Sequence, residues 1–264
     1  MDIWGTIGQS AILIFVLMTF FFLVSLGRKK NDIADFVWGF GLIFVAISTL
    51  ISIAEPNFRA VLVTSLVVIW GLRLSFHIYF RNKKKEDFRL RKWQEKWGKY
   101  FVIKSYFQLF LLQGFLLLLV SLPVIVVNST TSNPNLFWFD ALGIIIWFGG
   151  FIFETIGDYQ LSRFVKSPNK QGRIMTSGLW RYSRHPNYFG EIVQWLGIFL
   201  IALSSPYWWL SVLGPITIII IIFKVSGISM MEKKYEGDLE FEKYKKITNK
   251  LIPSLPKINY ENRK

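Results

Sequence analysis

Seven long apolar blocks dominate this chain and leave few folds open to it. They run approximately Ile7–Leu26, Phe36–Ala54, Ala60–Phe80, Tyr106–Val127, Leu136–Ile156, Tyr188–Ser204 and Tyr207–Val225. Each comes close to the ~20 residues an α-helix needs to cross about 30 Å of hydrocarbon. Lipid offers no partner to a backbone N–H or C=O, so each spanning block must satisfy its own as a helix. The predicted fold is therefore all-α: a polytopic membrane protein of seven transmembrane helices, with residues 1–264 forming one integral membrane domain. The sixth block is the shortest and is expected to tilt little or to begin in the interface.

Charge placement gives an orientation. Lys and Arg are absent before the first block, reduced to Arg59 in the second gap, and absent from Asn128–Asn135 and Ser205–Pro206. On the alternate side there are three in Gly27–Asp35, ten in Arg81–Ser105, six in Gly157–Asn187 and nine after Ser229. The positive-inside rule then puts the N-terminus outside and the C-terminus in the cytoplasm, in agreement with an odd number of crossings. Met1–Gln9 lacks the basic start of a signal peptide, so the first block is read as a retained span.

A net charge of +14 would otherwise suggest nucleic acid. The charges lie in the gaps between apolar blocks, so topology accounts for them and a nucleic-acid partner is not expected. There is no cysteine, which excludes disulfides and thiolate sites, and two histidines, His77 and His185, make a histidine-rich metal centre unexpected.

The polar side chains gather on the cytosolic side, in loops at about 81–105 and 157–187 and a tail at 230–264. Arg81–Lys104 mixes charge with Trp93, Trp97, Tyr100 and Phe101, which suits an amphipathic helix lying among lipid headgroups. Asp238–Ile252 reads as a second short amphipathic helix. The densest stretch is Gly178-Leu-Trp-Arg-Tyr-Ser-Arg-His-Pro-Asn-Tyr-Phe-Gly-Glu191, which runs directly into the sixth block. Arg181, Tyr182, Arg184, His185, Asn187, Tyr188 and Glu191 at the mouth of a membrane helix are costly, so a large anionic cofactor on the cytosolic face is the functional reading. The competing one is that the two arginines simply mark a cytoplasmic loop.

Other polar groups intrude where lipid is expected. Arg73, His77 and Arg81 fall at steps of four, so they share one face of the third helix and form a basic ladder suited to a pyrophosphate. Snorkelling arginines beside a structural histidine would give the same pattern. Asn187, Glu191 and Gln194 also share a face, and their amides and carboxylate could grip a carboxamide such as that of nicotinamide. A structural salt bridge from Glu191 to Lys224 or Arg73 competes. Asp158 is expected to end the fifth span and open a loop in which Lys166, Lys170 and Arg173 could neutralise the extra phosphate of NADPH, with Asp158 accepting from the adenosine end. Asp35 sits just before the second span, where a helix N-terminus alone favours an acid. No G-x-G-x-x-G, P-loop, H-E-x-x-H or G-x-S-x-G is present, so any nucleotide must be held by helices and loops.

The fourteen-residue stretch, with Gly157-Asp158-Tyr-Gln and Arg173-Ile before it, resembles the C-terminal domain of the membrane steroid 5α-reductases. Val225-Ser-Gly-Ile228, Glu232 and Leu251-Ile-Pro253 are similar to the bacterial branch of homologues. The resemblance covers about Leu66 to the end. It implies a seven-span protein of a bacterial inner membrane that binds NADPH on the cytosolic side and reduces a carbon–carbon double bond conjugated to a ketone. By motif position it implies cofactor contacts for Asp158, Arg173, Tyr182, Asn187 and Glu191, with the Arg73–Arg81 stretch as the third-span counterpart. It also implies a carboxylate at the start of the second span, which Asp35 fits, and a tyrosine in the third. That tyrosine falls near Trp70, so His77 or Tyr79 would have to take its part in polarising the substrate carbonyl.

The expectation is an NADPH-dependent reductase of an enone in a lipophilic substrate, steroid- or isoprenoid-like, that enters from the membrane. The Arg-His-Pro-x-Tyr pattern is shared more widely with isoprenylcysteine carboxyl methyltransferases and phospholipid methyltransferases. That makes methyl transfer from S-adenosylmethionine to an isoprenoid or lipid acceptor the alternative. A third is a non-enzymatic protein whose basic face meets anionic lipid.

Overall fold

The computed structural model describes residues 2–28, 33–82, 95–130, 137–167, 174–225, 228–233 and 235–257. Every regular element among the described residues is helical. In chain order these are α1 (Ile3–Arg28), α2 (Ile33–Ile51), α3 (Phe58–Asn82), α4 (Glu95–Ser129), α5 (Trp138–Lys166), α6 (Pro186–Ala202), α7 (Trp208–Lys224), α8 (Ile228–Lys233) and α9 (Leu239–Ile247). Each apolar block of the sequence forms one of the first seven.

Four of them are long and apolar enough to cross a membrane: Ile3–Gly27, Phe58–Phe80, Glu95–Ser129 and Trp138–Lys166. The apolar part of α2, Val37–Ile51, and α7 are shorter, and α6 has 17 residues. Length and composition thus make this an all-helical membrane protein.

Two boundaries differ from the sequence reading. From Glu95 onward, the stretch expected to lie flat among headgroups is the first part of α4, with a 3₁₀ turn at Gly98–Tyr100 and a π segment at Tyr106–Leu111 before the regular helix. Trp97 and Phe101 meet with ring centroids 6.0 Å apart, so the aromatic spacing read as an interfacial face runs on into the apolar helix. Residues 83–94 of that stretch lie outside the described residues. Likewise α5 runs to Lys166, so Asp158 lies on a helix and not at the start of a loop. No proline interrupts the helix until Pro168, which disfavours helical geometry at Ser167.

The chain divides into two compact units: Met1–Ala141 with Phe199–Gly214, and Leu142–Ile198 with Pro215–Lys264. In the first, α1 to α4 pack on one another around Met18, Leu42, Val45, Val67, Trp70, Phe110 and Leu117. Small residues let backbones approach: a Cβ on Gly39 would lie 2.7 Å from the Gly71 carbonyl oxygen. Asn128 of α4 lies buried among acceptors, with its Nδ2 2.9 Å from Thr49 Oγ1 on α2 and 3.1 Å from Thr64 Oγ1 on α3. Arg59 at the start of α3 grips Asp140 in the first turn of α5, with Nε–Oδ1 at 2.8 Å and Nη2–Oδ2 at 2.7 Å. Both residues are buried.

In the second unit α5 and α6 run against each other along a seam of glycines. Gly150 faces Gly190, Gly157 faces Asn187, and Gly197 faces Gly143 and Trp147. The glycines recur every seven residues, about two turns, which keeps this seam on one face of each helix. The C-terminal tail, with α8 and α9, completes this unit. Asp238 caps α9, accepting from the Glu240 and Phe241 amides.

Candidate functional site

Pro186 opens α6 at the first helical position, where its missing N–H costs nothing and its fixed φ favours helix. The glycine seam then holds the first two turns of α6 against the end of α5. Asn187 Nδ2 donates to Asp158 Oδ1 at 3.1 Å. Two turns deeper, Gln194 Nε2 donates to Glu154 Oε2 at 2.5 Å and to the Gly190 carbonyl at 3.3 Å. Glu154 and Asp158, four apart on α5, thus meet Gln194 and Asn187, seven apart on α6. All four belong to the second unit. Glu191, one turn after Asn187, is half-buried.

This seam carries polar capacity it does not use internally. Asn187 Oδ1 and Gln194 Oε1 are buried acceptors without a hydrogen-bond partner, and Thr155 Oγ1 on α5 is another such buried atom. An orphaned amide oxygen in a low-dielectric interior costs roughly 1–3 kcal/mol, so a native chain keeps one where a donor is to be met. Two unsatisfied amide oxygens beside two carboxylates suit a ligand rich in N–H and O–H donors, such as a carboxamide, an amino group or a ribose.

The motif upstream of α6 is fastened on two sides. Against α5, Gln160 Oε1 accepts the Leu179 amide at 2.9 Å and the Gly157 carbonyl accepts Trp180 Nε1 at 3.1 Å. Gly178 adopts φ +64 and lies so close to Gln160 that a Cβ there would meet its amide at 2.5 Å. Glycine is the residue that accepts both demands. Against the tail, Ser183 Oγ donates to the Leu251 carbonyl at 2.7 Å, Ser254 N to the Tyr182 carbonyl at 3.0 Å, and Tyr244 OH to the Trp180 carbonyl.

Arg184 and His185 complete the fastening. The Arg184 amide donates to the Asn249 carbonyl at 2.9 Å, its Nε to Glu232 Oε1 at 2.9 Å and its Nη1 to the Thr248 carbonyl at 2.8 Å. His185 Nε2 lies 3.2 Å from the same Glu232 oxygen, and Lys250 Nζ lies 3.9 Å from the other. Burial alone would raise the Glu232 carboxyl, but hydrogen bonds from His185 and Arg184 outweigh it and hold it down at about 2. An ionised carboxylate only accepts, so His185 carries its proton on Nε2. Burial pushes the imidazole below its usual value against the pull of Glu232, which keeps the ring neutral. Its face stacks on Tyr188, with centroids 5.6 Å apart.

The residues singled out by sequence are therefore distributed unevenly. Asp158 and Asn187 are brought into contact, with Glu191 on the next turn. Arg184 and His185, read as cofactor contacts, have their side chains engaged by the tail. The physical reason is that a buried guanidinium needs acceptors, and Glu232 with two tail carbonyls supplies them. Tyr182 is exposed at the surface of the motif, Tyr188 is half-buried against His185, and Lys166 is exposed at the end of α5. Arg173 and Lys170 lie outside the described residues.

In the first unit, Arg73 and His77 do share a face of α3, and both are half-buried. Tyr79 is two residues beyond His77, about 200° around the helix, and half of its surface is exposed. It does not join that ladder. Asp35 lies in the first turn of α2 and Arg81 in the last turn of α3; the side chains of both lie outside the described residues.

Glu154 is a participant the sequence reading passes over, and Glu232 enters it only as part of the tail's resemblance, with no role given. Glu154 had a signal: a carboxylate inside an apolar block, four residues before Asp158. The resemblance marked Glu232 but not its partners, which are 47 and 48 residues away.

Residues 21–248 match the family described as "Protein of unknown function (DUF1295)". The chain belongs to the DUF1295 family. Two relatives from Schizosaccharomyces pombe are similar to this DUF1295 chain. "Uncharacterized protein C594.04c" is 23% identical over 218 residues, 72% of this chain and 62% of that protein. "Uncharacterized protein C9.08c" is 33% identical over 85 residues, 26% of this chain and 30% of that protein. This DUF1295 chain therefore spans less than two thirds of the length of either relative. The match encloses the glycine seam, the motif and all of α9.

Proposed function

We propose that this protein is an NADPH-dependent reductase of a conjugated carbon–carbon double bond in a lipophilic substrate, resembling the steroid 5α-reductases. The observation that carries the reading is the Asp158–Asn187 pair, held at 3.1 Å while Asn187 Oδ1 stays buried without a donor. A nicotinamide carboxamide or an adenosine hydroxyl offers the N–H or O–H that such a set lacks. When bound, NADPH would supply hydride to the β-carbon of the enone. Asp158, Asn187 and Glu191 would hold and orient the dinucleotide, and Tyr182, Tyr188 and Lys166 would border it; the family resemblance alone adds Arg173 and the Arg73–Arg81 stretch as expected phosphate partners. Asp35, His77 and Tyr79 remain the proposed sources of the group that polarises the substrate carbonyl.

The same proposal sets the chain in a bacterial inner membrane, crossing seven times with its N-terminus outside and this site facing the cytosol. The asymmetry of Lys and Arg among the connections supports that orientation.

Protein purified in detergent should gain thermal stability from NADPH and not from S-adenosylmethionine. A gain from S-adenosylmethionine alone would transfer the assignment to methyl transfer. A gain from neither would remove the enzymatic reading.

A further inference from the structure

Arg184 and His185 stand next to Pro186, the first residue of α6, yet the partners of their side chains lie far along the chain. One carboxylate, Glu232, collects Arg184 Nε at 2.9 Å and His185 Nε2 at 3.2 Å on Oε1, with Lys250 Nζ at 3.9 Å from Oε2. Arg184 also spans to the Thr248 carbonyl at 2.8 Å and the Lys245 carbonyl at 3.3 Å. The tail is thus tied to the two residues that lead directly into the first turn of α6. That turn carries Asn187, and the next carries Glu191.

The structure assigns Glu232 the role of a positioning residue: through Arg184 and His185 it fixes the first turns of α6, and with them the Asn187 and Glu191 side chains. A site is only as well ordered as the shell that locks its side chains, and here both Arg184 and His185 are held from that shell by one shared carboxylate. His185 adds a second arm, because its ring is pinned at Nε2 by Glu232 and at its face by Tyr188, which is itself in the first turn of α6. The cofactor part of this inference rests on the NADPH reading; the ordering of α6 does not.

The test uses the intact protein in nanodiscs, with Glu232→Gln and Glu232→Asp. Gln keeps the shape and removes the charge that holds Arg184, whereas Asp keeps the charge one methylene short. In nucleotide-free protein, amide hydrogen exchange over residues 184–191 should rise on the order of tenfold in Glu232→Gln and less in Glu232→Asp, while α1 to α4 keep their protection. NADPH affinity should fall in the same order, again by about tenfold for Gln, a coupling of the size carried by a packed network. Folded Glu232→Gln protein with unchanged exchange over 184–191 would overturn the inference. So would faster exchange there with unchanged affinity for NADPH, since α6 would then be loosened without consequence for the site. If Glu232→Gln does not fold, Glu232→Asp alone decides on the same two readouts. If the wild-type protein does not bind NADPH, the proposed function fails by itself, and the exchange comparison still settles whether Glu232 orders α6.

Discussion

Gly150 and Gly190 meet across α5 and α6 at a separation that leaves no room for a methyl group. A Cβ on Gly150 would lie 2.6 Å from the Gly190 carbonyl oxygen, and one on Gly190 would lie 2.5 Å from the Glu154 amide nitrogen. The obstacles are backbone atoms, which cannot swing aside, so the helices themselves would have to part. Replacing Gly190 by Ala should therefore destabilise the protein by about 1–3 kcal/mol, the range for overpacking a filled interior. Gly149→Ala is the control, because a Cβ on Gly149 meets nothing within 4 Å. Thermal unfolding in one detergent should show a lower midpoint for the first variant and an unchanged or slightly higher one for the second.

The buried Arg59–Asp140 pair leads to a second expectation. Removing Arg59 leaves the buried Asp140 carboxylate without its cation and should cost about 3–5 kcal/mol. Asp140 Oδ2 also accepts the Phe137 amide at 2.8 Å, which closes the N-terminus of α5. The double variant Arg59→Met with Asp140→Leu should thus recover most of the loss but remain about 1 kcal/mol short, the worth of a helix cap. Denaturant or thermal unfolding of the single Arg59→Met variant and the double checks both parts.

The orientation can be read with single cysteines, since the natural chain contains none. Ser52, just after α2, and Thr176, before the motif, are both exposed. In intact cells a membrane-impermeant maleimide should label Ser52→Cys and leave Thr176→Cys unmodified until the membrane is opened. The reverse pattern would invert the proposed topology, and labelling of both would remove one crossing between them.

The cofactor reading makes its own demand on Asn187. Asn187→Ala removes the bond to Asp158 and the waiting Oδ1 together, so NADPH should bind about tenfold or more weakly, the loss of one or two hydrogen bonds to a buried ligand. Glu191→Gln should weaken binding as well. Calorimetry on folded variants decides: affinities within twofold of wild type would detach both residues from the site.

Much of the helix layout was legible because the apolar blocks are long and continuous, so their length alone matches helices that cross a bilayer. Boundaries were less so. Asp158 was misread as a loop residue because a span was assumed to end where hydropathy falls, whereas α5 continues on the strength of Gln160 and its glycine packing. The Asn187–Asp158 meeting was half legible, since both carried function by pattern but neither showed its partner. The clamp was not legible at all. Arg184 and His185 look like ligands for an anion in any window around them, and only the folded tail reveals Glu232 as the anion they hold.

Acid should loosen that clamp in two stages. His185 and Glu232 both lie outside the spans, before α6 and on α8. His185 has its pKa lowered from 6.5, mainly by burial, so its stabilising effect is complete above that value and declines as pH falls through the folded pKa. Glu232 is held at about 2 against 4.5, so its contribution is present above 4.5 and is lost as pH falls from there towards 2. In both cases the unfolded state takes the proton first, and the two slopes add. Hydrogen-exchange protection of residues 239–257, taken relative to the intrinsic exchange rate at each pH, should accordingly be high and flat above pH 7, fall below about 6.5 and fall again below about 4.5. Glu232→Gln should erase the lower step and leave a tail already partly released at neutral pH. A flat profile down to pH 4 would mean that neither group is coupled to the docking of the tail.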